Sequence, residues 1–238
     1  MTPILAAESI GKSFGRRTVL TAAGLWATPG RITALLGRNG CGKTTLLRIA
    51  CGLLSADYGV VIYRNERLLH PRLWRLARQG LWFLPERSLL HKGVACKCHL
   101  EALARHHRRD GITKAIELLK LDSLLDRKPN DLSGGERRRM EVGLALARTP
   151  ECLVADEPFL GIVPRDRELL QQALRNMTHE GCAIVVTGHE VTGLLDIADE
   201  VVWHTSGTTH VLGGPDEARR HDQFRREYLA GRLLGSLH

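Results

Sequence analysis

Three short runs of the chain are apolar with almost no polar alternation: Ile32 to Leu36 after Arg31, Cys152 to Ala155, and Ala183 to Thr187. A strand with one wet face alternates, whereas a strand buried on both faces does not. These runs therefore predict a parallel sheet covered by helices. Between them the apolar period lengthens. Leu46, Leu47, Ala50 and Leu54 recur near 3.6 residues and predict a helix over Thr44 to Leu54. Pro71 to Gln79 predicts a short helix opened by proline and closed by Gly80. Further helices are predicted over Leu100 to Arg109, Thr113 to Leu121, Glu136 to Arg148 and Arg165 to Thr178. Val201 to His204 and Thr208 to Leu212, joined around Ser206-Gly207, read as a hairpin. The order is strands first, then strand–helix alternation, an all-helical stretch from about residue 87 to 147, and alternation again. Asp216 to Leu234 reads as a basic helix or pair of helices.

At 238 residues this is one large domain, or one carrying a lobe. Hydrophobic residues make up 43% and charged residues 25%, which is globular usage and excludes intrinsic disorder. No apolar run approaches the ~18 residues of a membrane-spanning helix. The first nine residues lack a basic stretch and reach Glu8 early, so no signal peptide is expected. The net charge of +8 favours anionic partners such as nucleotides, nucleic acid or an anionic membrane leaflet. A merely solubilising surface gives the same number, so charge alone decides nothing. The six cysteines show no extracellular framework spacing, and most have apolar neighbours, which suits a reducing cytoplasm.

The chemistry begins at Gly37-Arg38-Asn39-Gly40-Cys41-Gly42-Lys43-Thr44, which follows a predicted strand and opens a predicted helix. That is G-x-x-x-x-G-K-[ST] in its required context. Triphosphate oxygens need many donors at close range. Gly37, Gly40 and Gly42 let the backbone take unusual dihedrals and approach without a Cβ in the way. The loop amides then converge as a nest, and the helix N-terminus adds about half a positive charge. Lys43 is placed to reach the β and γ phosphates, Thr44 to ligate Mg2+, and Thr45 follows at the helix start. Cys41, among these amides, reads either as a reactive thiol or as a small tolerated residue. Further on, the strand from Cys152 ends in Asp156-Glu157. Ligands of open α/β sheets bind at carboxyl ends of strands. Asp156 there suits Mg2+, and Glu157 suits polarisation of an attacking water. Leu132-Ser133-Gly134-Gly135-Glu136 opens another helix. Ser133 and Glu136 form a capping-box pattern. Gly134 and Gly135 cost helix propensity and bare their amides, which makes a second anion site. Only 23 residues separate Ser133 from Asp156.

Phosphate loop, L-S-G-G-E, acidic strand end and then a histidine, spread over nearly the whole chain, resemble the ATP-binding cassette (ABC) ATPases. The resemblance implies an α/β fold: a P-loop NTPase core with a mostly parallel sheet, an N-terminal antiparallel β subdomain and an inserted helical subdomain. It implies one domain over 1–238, with the nucleotide-binding core at 1–86 and 148–215, the helical subdomain and signature at 87–147, and a helical tail at 216–238. It makes Glu157 and His189 the catalytic pair, His189 as sensor of the γ-phosphate. Phe14 matches the aromatic that stacks on adenine, with a buried strand Phe as the other reading. Arg38, Asn39 and Cys41 join the loop glycines, Lys43, Thr44 and Thr45 around ATP, and Ser133, Gly134 and Gly135 close over it from a second copy. Thr44, Glu86 and Asp156 are the implied Mg2+ ligands.

The resemblance also implies partners: a second ATPase subunit, identical or not, and integral membrane transporter subunits at the inner face of the cell membrane. No nucleic-acid partner is expected. Two positions depart from the family. Glu86 in Leu84-Pro85-Glu86 stands where most members have Gln, and Val163 stands where an Asp usually couples the two sites. Pro85-Glu86, Glu157-Pro158-Phe159 and Tyr228 to Gly231 are similar to branched-chain amino acid uptake and lipopolysaccharide-export cassettes. The other readings are a soluble cassette ATPase of assembly or repair, and a weakly hydrolysing regulatory module. A GTPase lacks support because there is no N-K-x-D element. Cys96-x-Cys98-His99, with His91 and His106-His107 nearby, suggests zinc but lacks the usual C-x2-C spacing. Arg72, Arg75, Arg78 and the cluster Arg219, Arg220, Arg225, Arg226 read as solvated faces or as neighbours of anionic headgroups. Leu89 and Leu90 read as contacts for a membrane subunit or as lobe core.

Overall fold

The chain enters as a long antiparallel hairpin, β1 (Leu5–Phe14) and β2 (Arg17–Ala27), turning at Gly15 with φ +59°. The computed structural model describes residues 2–104, 109–188 and 191–226. β3 (Ile32–Leu36) leads through the glycine-rich loop into α1 (Lys43–Ala50). β4 (Tyr58–Tyr63) and β5 (Glu66–Leu68) return to the hairpin, and α2 (Leu73–Arg78) feeds β6 (Leu81–Leu84). The helical stretch holds α3 (Cys96–Ala104), α4 (Arg109–Leu119) and α5 (Gly134–Arg148). Then come β7 (Cys152–Ala155), α6 (Pro164–His179), β8 (Ala183–Gly188), α7 (Val191–Leu195), the hairpin β9 (Glu200–Thr205) and β10 (Thr208–Gly213), and α8 (Pro215–Arg220).

Among the described residues the strands form one ten-stranded sheet in the order β5-β4-β1-β2-β10-β9-β3-β8-β7-β6. Its first four strands are antiparallel, and β9-β3-β8-β7-β6 are parallel throughout. The mixed α/β fold expected from the sequence is thus present: a mostly parallel core, an antiparallel N-terminal part and a helical insertion. The uninterrupted apolar runs are explained by two cores, one on each face. In β3, Ile32, Ala34 and Leu36 face one core while Leu35 faces the other. In β7, Leu153 and Ala155 part from Cys152 and Val154 in the same way. The second core places Leu46, Leu47 and Ile49 of α1 between the antiparallel strands and the parallel ones. Burying each such side chain contributes about 1.5–3 kcal/mol. This packing fixes the helix that begins at the glycine-rich loop.

Several boundaries differ from the sequence expectation. The first helix ends at Ala50, not Leu54, because Gly52 turns away at φ +72° where a Cβ would sit 2.7 Å from the backbone of Pro71 and Arg72. The next helix begins at Leu73, with Pro71 outside it. α3 starts at Cys96 rather than Leu100, its first amides bonded to the carbonyls of Arg127 and Leu125, a tertiary anchor that periodicity does not show. α4 starts at Arg109 rather than Thr113. β6 is an added edge strand paired with β7. Of the C-terminal stretch, α8 is helical, and residues 227–234 lie outside the described residues. No helix among the described residues is long and apolar enough to cross a membrane.

Candidate functional site

β3 hands the chain to the loop at its carboxyl end, and α1 takes it up with Gly42 as N-cap at φ +118°. Gly40 is also left-handed, at φ +74°. Gly37 is required for a different reason. A Cβ there would lie 2.7 Å from the His204 carbonyl oxygen and 2.8 Å from Cys41 Sγ. The loop encloses the Lys43 side chain, whose Nζ donates to the carbonyls of Gly37 (2.9 Å) and Arg38 (3.2 Å) and lies 3.8 Å from Glu157 Oε1. Above it opens a cleft of about 450 Å³, lined by Arg17, Val19, Asn39, Gly40, Gly42, Lys43, Thr44, Thr45, Glu86, Glu157 and Leu160. Phosphate loop, first helix turn, Glu86 and Glu157 therefore meet around one space. Burial pushes the Cys41 thiol up, against the pull of Lys43, so the amide-rich surroundings do not make it a thiolate.

The two acids at the end of β7 are fixed by a residue the sequence reading did not single out. Thr187, at the end of neighbouring β8, donates from Oγ1 to Asp156 Oδ1 (2.8 Å) and accepts from the Glu157 amide (2.9 Å). Asp156 is only 2% exposed. Glu157 holds a left-handed φ of +48°, a conformation costing about 1–3 kcal/mol that persists where surroundings over-determine it. In this conformation its carboxylate lies 3.8 Å from the Lys43 ammonium. A Thr187→Val variant keeps the shape and loses both bonds. We expect stability to fall by about 1–3 kcal/mol. For the nucleotide hydrolysis that the sequence resemblance implies, kcat is expected to fall about tenfold, part of the effect of a mispositioned base. Thermal unfolding and steady-state kinetics measure both.

A second device also lay hidden in the sequence. Arg138 of α5, buried, donates from Nη1 to the Pro85 carbonyl (3.0 Å) and from Nη2 to the Glu86 carbonyl (2.8 Å). Its ion-pair partner Glu141 (3.1 Å) accepts from the Leu89 amide (3.0 Å). Segment 85–89, which brings Glu86 to the cleft, is stapled to the helix that begins at Ser133. Segment 85–89 and the helical stretch are thus joined beside the cleft.

At the start of α5 the capping box is formed in full: the Glu136 amide donates to Ser133 Oγ (3.2 Å), and the Ser133 amide to Glu136 Oε2 (2.8 Å). The Ser133 amide, with Arg127 assisting, holds the Glu136 carboxyl below its usual range. The two glycines differ. Gly134 faces open space, whereas a Cβ at Gly135 would strike the Asp166 carboxylate, itself paired with Arg139 (3.1 Å). Gly135 thus has a packing reason to lack a side chain, which the sequence argument had not included. None of the residues lining the cleft comes from this helix start.

The other expected residues fall as follows. Phe14 is 51% exposed at the end of β1, with the Lys12 ammonium 5.6 Å from its ring centre, which overturns the reading of it as a buried strand Phe. His189 lies outside the described residues. Val163 caps α6 without a side-chain bond and is 58% exposed. Leu89 is exposed, while Leu90 joins the core. Cys96 is buried and Cys98 exposed, so they do not converge, and His106 and His107 lie outside the described residues. Arg75 pairs with Glu66 (2.7 Å) and Arg219 with Asp216 (2.9 Å).

Residues 20–160 match the family model described as ABC transporter. The lipopolysaccharide export system ATP-binding protein LptB of Acidithiobacillus ferridurans is 31% identical, over 96% of this chain and 98% of its own length. The fold matches the ADP conformation of MJ1267, an ATP-binding cassette of an ABC transporter, with TM-score 0.83 and 24% identity over 99% of this chain and all of that one. It also matches the dimeric structure of MJ0796, a bacterial ABC transporter cassette, with TM-score 0.78 and 22% identity over 88% of this chain and 99% of the other.

Proposed function

The chain belongs to the ABC transporter family as one of its ATP-binding subunits, and from that premise we propose that it hydrolyses Mg-ATP between two copies arranged head to tail beneath membrane subunits. The observation that carries this reading is the separation of the two phosphate-gripping devices. The cleft holds Lys43, Thr44 and Glu157, yet the helix start at Ser133 contributes nothing to its lining. A single copy leaves the outer side of a bound triphosphate open. A second copy, turned end to end, supplies Ser133, Gly134 and Gly135 from that side.

In this reading the amides of residues 37–45 and the Lys43 ammonium hold the phosphates, and Phe14 stacks on the base. The side chains suit a hard cation: Thr44 and Glu86 line the cleft, Asp156 lies buried at the end of β7 with Thr187 already orienting its carboxylate, and all three offer oxygen donors only. Mg2+ bound there neutralises charge on the phosphates and orients them. Glu157 accepts the proton of the attacking water, and His189 senses the terminal phosphate. Lys43 then exchanges its loop carbonyls and its neighbour Glu157 for phosphate oxygens, which frees the carboxylate to act as base. Closure of the dimer is a population shift driven by contacts made only with the triphosphate. The domain division at 86–87, 147–148 and 215–216 belongs to this proposal. So do the inner-membrane-face location and the transmission of closure to membrane subunits, through segment 85–89 and the exposed Leu89. Steady-state release of phosphate from ATP by the purified chain tests it. Turnover must require Mg2+ and vanish with excess EDTA; turnover indifferent to EDTA contradicts the assigned cation site.

A further inference from the structure

Beneath the phosphate loop lies a histidine that no part of the proposed chemistry uses. β9 runs parallel to β3, and their last paired residues are Leu36 and Trp203. His204 follows Trp203 and so comes to lie alongside Gly37, the first residue of the loop. Its side chain is 1% exposed. Its carbonyl oxygen blocks a Cβ at Gly37, and its ring reaches the far end of the loop, with Nε2 3.2 Å from where a Cβ at Gly42 would stand. Nε2 lies 2.8 Å from the Cys41 carbonyl oxygen. A carbonyl only accepts, so the ring carries its proton on Nε2 and donates it there. Nδ1 is buried with no hydrogen-bond partner among the described residues. The ring thus makes a single side-chain hydrogen bond of its own, and that bond goes to the loop backbone.

We propose that His204 is a positioning residue for nucleotide binding, aiming the Gly42 amide into the cleft by holding the Cys41 carbonyl down from below. The peptide between Cys41 and Gly42 is trans and planar, so its C=O and N–H point in opposite directions. Anchoring the oxygen beneath the loop turns the hydrogen to the opposite side, where Gly42 lines the cleft. At Gly42 the backbone has φ +118°, a region open to glycine over a wide range of angles. Nothing in the residue itself selects the productive peptide orientation, and the imidazole supplies that selection. A preorganised donor costs no reorientation when the anion arrives. Burial also lowers the pKa of His204, which keeps the ring in the neutral form whose single proton serves this bond.

The inference deepens the proposed nucleotide site and rests on it. Three variants separate positioning from filling. In His204→Gln the amide nitrogen falls near the position of Nε2 and keeps a donor under Cys41. In His204→Asn the donor stops short, near Nδ1, and in His204→Leu there is none. Mg-ATP affinity is read by titration with a fluorescent ATP analogue, with KM and kcat measured alongside. Asn and Leu are expected to raise Kd and KM about fivefold with kcat nearly unchanged, the size of one lost neutral hydrogen bond, while Gln stays near wild type. Should Leu fail to fold, the Gln and Asn pair alone decides. Equal affinity in all variants, or equal loss in Gln and Asn, overturns the role. A wild-type chain that binds no Mg-ATP overturns the nucleotide reading itself, which is a different result from wild-type binding that is indifferent to position 204.

Discussion

Replacing Glu157 with Gln is expected to give a protein that still binds Mg-ATP, dimerises on it and stays dimeric, with hydrolysis reduced by roughly 10²–10⁴-fold. The substitution keeps the shape and removes the carboxylate assigned as base. It also removes a negative charge 3.8 Å from Lys43, close to where phosphate charge must settle. Both changes favour the closed, triphosphate-bound state: repulsion with the phosphates falls, and the step that would end the state is blocked. Sedimentation velocity with ATP, with ADP and without nucleotide measures the dimer, and phosphate release measures turnover. A variant that hydrolyses at the wild-type rate removes Glu157 from its role.

Ser133→Arg should do the reverse. The Ser133 side chain accepts from the Glu136 amide, but Glu136 also grips the Ser133 backbone amide, which the substitution leaves in place. Loss of the cap oxygen costs about 1 kcal/mol, too little to unfold the domain. The long cationic side chain then extends into the open space around Gly134, where the proposal seats a partner's terminal phosphate. Nucleotide binding to the single copy is expected to be unchanged, because Ser133 does not line the cleft, while ATP-dependent dimerisation and turnover are lost. An ATP-bound dimer that persists in this variant contradicts the head-to-tail arrangement.

What could be read from the sequence followed how local each feature is. The phosphate loop announces itself because its backbone geometry demands glycines at fixed offsets beside one lysine. The double-faced burial of β3, β7 and β8 shows directly as missing alternation, and the capping box as a serine three residues ahead of a glutamate. The residues that aim these parts gave no such signal. Thr187 meets Asp156 across 31 positions, Arg138 meets Glu86 across 52, and His204 meets Cys41 across 163. Each is an ordinary residue for its strand or helix, and only strand order or helix packing brings it to the site. Gly135 shows the opposite error: a glycine read wholly as an anion device also makes room for Asp166. Helix ends depart from the periodicity where tertiary contacts, as at Cys96 and Gly52, outweigh it.

A structure of the Glu157→Gln chain saturated with Mg-ATP would bear on the central claim without intermediaries. The account predicts two copies related by a twofold axis, with Ser133 Oγ and the Gly135 amide of each within hydrogen-bond distance of the terminal phosphate seated on the other's loop. Nucleotide held by one copy alone, with Ser133 facing solvent, would contradict it.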